Sequence, residues 1–405
     1  MSERRSKVAL IGCGARGRGH LDVILGLADR LELVAACDRS PTSLEQVRGA
    51  AGPEPLCTAD LDELLARARP DFAVVAVKSD VQPEVCRRVL EAGVAVLTEV
   101  PLAFTGPAAR VALDTARRRG VAFGAAENYV CTPLEQLKRQ AIAAGVFGRV
   151  TRAEVNGSIN HKGHEIAVAR SYVGFEHAPL RVSARADGRG GRTLEAVPIP
   201  SVMSGVIELD SGARLELLLS GWGVRGPLTP IVGWRSEFSG LAGGYHGRRF
   251  HRGADPFGGI QPIALETRVH EVGGTPTLVE LVLQSDPAVV WTNPFPDRVF
   301  PDQHRFTGMS NIEDLPQAWE VGLAYLLLDM AEAVRCGRPP AYPAERAMVD
   351  TRLRLAMLES AARGGDWIDW QEEPWPIEAR IDRWSPYREL RNLRRRLHLT
   401  GVRRG

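Results

Sequence analysis

No apolar stretch of this chain reaches the roughly 18 to 20 residues that a bilayer-spanning helix needs, so the sequence offers no membrane segment. The polar N-terminus, Met1 to Lys7, has no apolar core behind it of the kind a secretory signal carries. The expectation is a cytoplasmic protein. Charge of one sign is not in excess: the formal net charge is +2 over 405 residues. Nothing global therefore argues for a nucleic acid or an anionic membrane as partner. None of the six cysteines (Cys13, Cys37, Cys57, Cys86, Cys131 and Cys336) belongs to a C-x-x-C pair. Several sit in apolar, strand-like runs, so buried structural thiols are expected in place of metal ligands or disulfides. No internal repeat is visible. What is left is a chain of 44% hydrophobic residues, a soluble globular composition long enough for two domains of ordinary size.

The most informative stretch is Val8 to His20. An apolar run, Val8 to Ile11, enters a turn in which Gly12, Gly14 and Gly17 have the G-x-G-x-x-G spacing, and Ala15 and Arg16 open the helix pattern that follows. Dinucleotide binding asks for glycine at these places for three reasons: a tight turn, close approach of a pyrophosphate, and close packing of helix on strand. The helix N-terminus then offers N–H groups and a positive dipole end to the phosphates. A second apolar run, Leu31 to Cys37, ends at Asp38, about 20 residues beyond the last glycine, where a carboxylate can accept from ribose hydroxyls. Asp38 favours NAD over NADP, because a carboxylate repels a 2′-phosphate. Arg39 either stacks on adenine or accepts that phosphate. Arg16 either contacts phosphate or is solvated.

Strand patterns at Val8–Ile11, Leu33–Cys37, Phe72–Val77, Ala95–Leu97 and Val121–Ala125 alternate with amphipathic segments such as 60–68, 83–92 and 107–118. Short apolar runs between helices imply strands covered on both faces, hence a doubly wound parallel sheet. After Glu127 the pattern changes. Pro133–Ala144 reads as a helix, and 149–157, 204–209, 213–219 and 278–284 as longer strands, with Asp210-Ser211-Gly212 as a hairpin turn. The fold class is therefore α/β: an N-terminal Rossmann sheet, residues 1–127, followed by an α+β domain with a mostly antiparallel open sheet, residues 128–370, and a tail, 371–405. Val224–Pro262 is either a loop system or an irregular sheet edge. Its Trp234, Tyr245 and His246, with Trp222 just before, either shape a pocket or pack as core. The triplet Arg394 to Arg396 reads as a solvated helix end.

Taken in order, VALIGCGARGRGH at 8–20, LTEVPLAFT at 97–105, ENYVCTPLEQLKRQAIAAGVFGRV at 127–150, GHEIAVARSYVG at 163–174, and the AVRCGRPPAYPAERA and LESAARGG segments resemble the glucose–fructose oxidoreductase, inositol dehydrogenase and rhizopine catabolism family, Gfo/Idh/MocA. The resemblance runs to about residue 370. It implies NAD, or alternatively NADP, on the Rossmann domain. It implies hydride transfer to or from a sugar, cyclitol or other polyol, and a homo-oligomer built through the C-terminal domain sheet. It also adds Glu99, Pro101 and Glu127 to the cofactor side, beside Gly12, Gly14, Ala15, Arg16, Gly17, Asp38, Arg39 and Lys78.

Two positions depart from the family pattern. Its E-K-P motif reads Glu99-Val100-Pro101, so the lysine that polarises the reacting hydroxyl is absent. Its D-x-x-x-H pair reads Asn160 to His164, with an amide in place of the acid. Alcohol oxidation needs a base within hydrogen-bond reach of the hydroxyl, and His164 is the candidate. Asn160 can fix its tautomer but adds no charge. Lys78, at the carboxyl end of a sheet strand, and Lys162 are the candidates for the missing lysine's role. His161 and His164 lack a third ligand close in sequence, so no metal is expected. His20 is expected to pack or cap. Two other readings stand beside the dehydrogenase: an enzyme with tightly bound NAD that oxidises transiently during glycoside cleavage or epimerisation, and a non-catalytic dinucleotide-binding protein.

Overall fold

The alternation of short apolar runs and amphipathic segments in the first third of the chain folds into a six-stranded parallel sheet. We describe residues 4–158, 163–187, 202–220, 234–253, 260–302 and 315–384 of a computed structural model. Strands β1 (Ser6–Ile11), β2 (Leu31–Cys37), β3 (Leu56–Thr58), β4 (Phe72–Val75), β5 (Ala95–Thr98) and β6 (Phe123–Ala125) lie in the order β3-β2-β1-β4-β5-β6. Helices α1 (Ala15–Gly26), α2 (Pro41–Ala51), α3 (Leu61–Ala68), α4 (Gln82–Glu91) and α5 (Gly106–Arg119) connect them. Both β4 and β5 are buried along their whole length, as strands covered on two faces must be. The expected strand from Phe72 to Val77 stops at Val75. The Ala76 N–H still bonds the Ile11 carbonyl at 2.8 Å, but the Lys78 carbonyl already accepts from Val81 and Gln82 at the start of α4. The pattern reading did not single out α2 or β3, although Ser40 caps α2 through its side chain and Pro41 opens it.

The chain divides into two units. The first holds the described residues of Met1–Cys131 and Asp297–Met348, the second those of Thr132–Pro296 and Val349–Pro386. In the first unit a 3-10 turn, Asn128–Cys131, follows β6. Gly322 lets a later helix of the same unit, α8 (Ala318–Cys336), lie against that turn, since a Cβ there would stand 3.1 Å from the Asn128 carbonyl oxygen. The Ala125 N–H bonds the Tyr342 carbonyl at 2.9 Å, just before α9 (Ala344–Ala362) begins.

The second unit is built on a nine-stranded sheet. In chain order its strands are β7 (Val150–Ser158), β8 (Pro179–Asp187), β9 (Val202–Leu209), β10 (Arg214–Ser220), β11 (Arg235–Gly240), β12 (Gly243–His246), β13 (Arg249–Arg252), β14 (Gln261–Ile263) and β18 (Ile368–Asp369). They lie in the order β14-β13-β12-β11-β7-β10-β9-β8-β18. Only β7 and β10 run parallel among the described pairs. The β9–β10 hairpin turns where expected, with Gly212 at φ +78°. The described parts of Val224–Pro262 form β11, β12, β13 and the start of β14, one edge of this sheet. A three-stranded sheet, β15 (Leu265–Val272), β16 (Thr275–Leu283) and β17 (Val289–Thr292), completes the strands. Helices α6 (Pro133–Ala143) and α7 (His164–Val173) belong to this unit, and α10 (Pro376–Trp384) follows β18. The core of this unit brings together Phe147, Tyr172, Phe238, Tyr245 and Phe250, with ring centroids 4.7 to 5.9 Å apart. No helix among the described residues is long and apolar enough to cross a membrane.

Candidate active site

The carboxyl edge of the first sheet carries a cavity of about 590 Å³, lined by Gly12, Gly14, Asp38, Arg39, Lys78 and their neighbours. The three glycines of the turn do different things. Gly12 adopts φ +91°, and a Cβ there would lie 2.4 Å from the Ala76 carbonyl oxygen. At Gly17 a Cβ would stand 1.9 Å from the Gly12 carbonyl oxygen, so glycine lets α1 lie on the turn. Gly14 has no such packing reason. Its φ of −67° suits any residue, and among the described residues none outside its own chain neighbours and helix backbone lies within 4 Å of a Cβ built on it. It is the N-cap of α1, and no side chain caps the helix. A bare glycine beside an uncapped helix N-terminus leaves room and N–H donors for an anionic group such as a pyrophosphate. Ala15 and Arg16 are the first two residues of that helix.

Asp38 follows β2 and ties the turn together. Its Oδ2 accepts from the Cys13 N–H at 2.7 Å and its Oδ1 from the Ser40 N–H at 2.8 Å. Each carboxylate oxygen keeps a further lone pair. Burial, reinforced by the Asp38 charge, pushes the Cys13 thiol up to about 12, so it packs and does not ionise. Arg39 and Lys78 are exposed on the cavity wall.

Farther along the same edge, Glu99 follows β5. Its N–H bonds the Val75 carbonyl at 2.9 Å, and its carbonyl accepts from Gln82 Nε2 at 2.6 Å. The same amide nitrogen reaches the Pro101 carbonyl at 2.8 Å. The Glu99 Oε1 receives both Arg16 Nε and His20 Nε2, each at 2.6 Å. His20 is fully buried, and burial holds its pKa below the ordinary histidine value against the opposing pull of Glu99. The ring is therefore neutral, with the proton assigned to Nε2 by its carboxylate partner. Arg16 is not a lone solvated side chain. Besides Glu99 it reaches Asn128 Oδ1 at 3.5 Å, and its Cζ lies 5.6 Å from the Trp319 ring centroid. Val100 is buried and brings no charge to this end of the sheet. Glu127, just beyond β6, is buried too, and its N–H bonds the Ala125 carbonyl at 2.9 Å.

In the second unit His164 is the first residue of α7 and is buried. Gly157 on β7 faces the residue after His164, since a Cβ there would stand 2.5 Å from Glu165 Oε1. Asn160, His161 and Lys162 lie outside the described residues, as do Trp222 and the Arg394 to Arg396 triplet. Tyr245 is core, with its ring centroid 4.0 Å from Lys138 Nζ. His246 is half-buried between Ser239 Oγ at 3.1 Å and Glu237 Oε2 at 3.4 Å. Trp234 is half-buried.

The sequence reading missed a polar cluster in this unit. Lys138 Nζ, almost fully buried, donates to Glu135 Oε1 at 2.8 Å, Ser236 Oγ at 2.9 Å, the Ser236 carbonyl at 3.1 Å and Tyr172 Oη at 3.2 Å. Tyr172 in turn donates to Glu135, and burial beside that carboxylate drives its pKa well upward. A Glu and a Lys three apart on a helix read as a surface pair; here Ser236 of β11, Tyr172 of α7 and Tyr245 of β12 close over them and make them core.

Residues 6–127 match the family described as oxidoreductase, NAD-binding Rossmann fold, GFO_IDH_MocA. That match is confined to the residues of the first sheet and its helices. The D-apiose dehydrogenase of Paraburkholderia graminis is 32% identical over 145 residues, 36% of this chain and 38% of that protein. The chain thus matches about two fifths of the length of its curated relatives. Beyond the matched residues the likeness is one of fold. A levoglucosan dehydrogenase in complex with NADH and levoglucosan superposes with a TM-score of 0.67 at 16% identity, over 90% of this chain and 99% of that one. The WlbA dehydrogenase of Bordetella pertussis, in complex with NADH and UDP-GlcNAcA, gives 0.62 at 17% identity over 91% and 100%.

Proposed function

We propose that this chain is an NAD-dependent oxidoreductase that transfers hydride between a hydroxyl-bearing carbon of a sugar, cyclitol or related polyol and the nicotinamide. The observation that carries the reading is Gly14, a glycine that packing does not require, at the mouth of an uncapped helix and on the wall of the cavity that Asp38 also lines. Gly12, Gly14, Ala15 and Gly17 would hold the pyrophosphate, and Asp38 the adenosine ribose, its carboxylate favouring NAD over NADP. Arg39 flanks that end, Lys78 stands on the other side of the glycine turn, and Glu99, Pro101 and Glu127 are farther along the edge. Bound there, the nicotinamide supplies the hydride acceptor. His164 takes the hydroxyl proton on its imidazole as the carbonyl forms. From the sequence alone, Asn160 is the candidate to fix its tautomer and Lys162 a candidate for the missing lysine's role. The polyol class rests on the activities named for the relatives, D-apiose and levoglucosan dehydrogenases. A cytoplasmic location and pairing of copies through the nine-stranded sheet belong to the same reading.

Two glycine variants test the cofactor site. Gly14→Ala is expected to keep the melting temperature of the wild type and to weaken NADH binding at least about tenfold. Gly17→Ala is expected to cost about 1–3 kcal/mol of stability through overpacking. Unaltered NADH binding by a folded Gly14→Ala protein would refute the site. Activity is read as NADH absorbance with NAD and a panel of D-apiose, levoglucosan and myo-inositol, and His164→Ala should abolish the signal while leaving NADH binding intact. Val100 favours a second reading, transient oxidation during glycoside cleavage or epimerisation. That reading predicts converted sugar with no net NADH.

A further inference from the structure

Along the carboxyl edge of the first sheet, side chains of different chemistry come in a fixed order. Asp38 stands after β2, the glycine turn after β1, Lys78 just beyond β4 and Glu99 after β5. Neighbouring strands are about 4.8 Å apart, so Glu99 lies about three spacings, on the order of 14 Å, from Asp38. A dinucleotide with its adenosine ribose at Asp38 and its pyrophosphate at the glycine turn would have its ring end on the β4 and β5 side. Arg16 starts in the turn, but its guanidinium does not stay there. The 2.6 Å bond from Nε to Glu99 carries it toward β5, and the Trp319 ring and Asn128 lie beside it. Glu99 is itself fixed, by backbone bonds to Val75 and Gln82 and by the buried His20.

The guanidinium has donors left over. Nε serves Glu99 and Nη2 faces Asn128, while Nη1 makes no hydrogen bond among the described residues and the side chain stays 21% exposed. The Asn128 amide nitrogen is also without an acceptor among the described residues, although the residue is fully buried. With Nε on the Glu99 carboxylate and Nη2 toward Asn128, the open Nη1 can donate to a single acceptor oxygen such as a carbonyl. We propose that Arg16 anchors the nicotinamide end of the cofactor, donating to the carboxamide oxygen, and makes no contact with the pyrophosphate. This rests on the cofactor reading above.

ADP-ribose and NADH share the adenosine, the pyrophosphate and the second ribose, and differ by the nicotinamide. Calorimetric titration with each therefore separates the two ends. In Arg16→Ala, NADH is expected to bind about 10- to 100-fold more weakly, as for loss of a charge-assisted hydrogen bond, and ADP-ribose less than about threefold more weakly. Glu99 loses a partner in that variant, so Arg16→Lys, which keeps a cation beside Glu99 but loses the guanidinium fork, is measured in parallel with a thermal melt. It is expected to fold and to lose at least about tenfold on NADH alone. Equal weakening of both ligands would place Arg16 on the phosphates and overturn the assignment, and so would affinities unchanged from wild type. A wild-type protein that binds neither ligand would sink the cofactor reading itself, and this inference with it.

Discussion

His20 is a small example of how burial sets chemistry. Its sequence position, on the first turns of α1, reads as packing; the structure adds that it is neutral and donates to Glu99. Its folded pKa lies below the ordinary value near 6.5. The unfolded chain therefore binds a proton below about pH 6.5 that the folded chain does not, so this residue's contribution to stability declines as the pH falls through that value. Thermal melts at pH 7, 6 and 5 should show a steeper loss for the wild type than for His20→Gln, which keeps a donor for Glu99 but does not titrate. Parallel curves would exclude the effect. Gly14 and Gly17 make the complementary point. The spacing assigns Gly14 to an approaching ligand and Gly17 to packing, and their surroundings differ in the same way, open at one and filled at the other.

Helix α6 shows what a sequence pattern hides. Its Glu135 and Lys138 stand three apart, as countless solvated pairs do, yet both are buried under β11 and α7 with Ser236 and Tyr172 completing their bonds. Removing one member of a buried pair leaves the other charge unsatisfied, at about 3–5 kcal/mol. Lys138→Met should lower the urea midpoint accordingly, and Glu135→Leu added to it should recover part of the loss. A single-variant cost under about 1 kcal/mol would mean that water reaches the cluster. The edge formed by β11 to β14 was one of the two readings that the sequence left open, and the structure decides for it. Gly243, at φ +154°, and Gly244, whose Cβ would stand 2.3 Å from the Phe238 carbonyl oxygen, admit close strand contact that periodicity does not encode.

At the scale of the whole molecule the open face of the nine-stranded sheet matters most. Ion pairs between neighbouring strands cross it, Arg152 with Glu216 at 2.6 Å and Arg235 with Glu154 at 3.0 Å, and Arg152 also pairs along its own strand with Glu154 at 3.0 Å. These side chains are a quarter to a half exposed, so salt screens them. If copies pair through this face, sedimentation in 0.5 M rather than 0.05 M salt, on the order of a threefold shorter Debye length, should shift the protein toward the smaller species. An unchanged sedimentation coefficient would assign the interface elsewhere. The sequence on its own was sufficient for the Rossmann sheet, the glycine turn with Asp38, and the change to antiparallel strands after Glu127. Those features are written in local periodicity and in residue types that short-range geometry demands. Where the Arg16 guanidinium comes to rest, and that Lys138 is core, depended on chain segments tens to hundreds of residues apart meeting in space. Such contacts leave no local pattern, because each partner looks ordinary among its own neighbours.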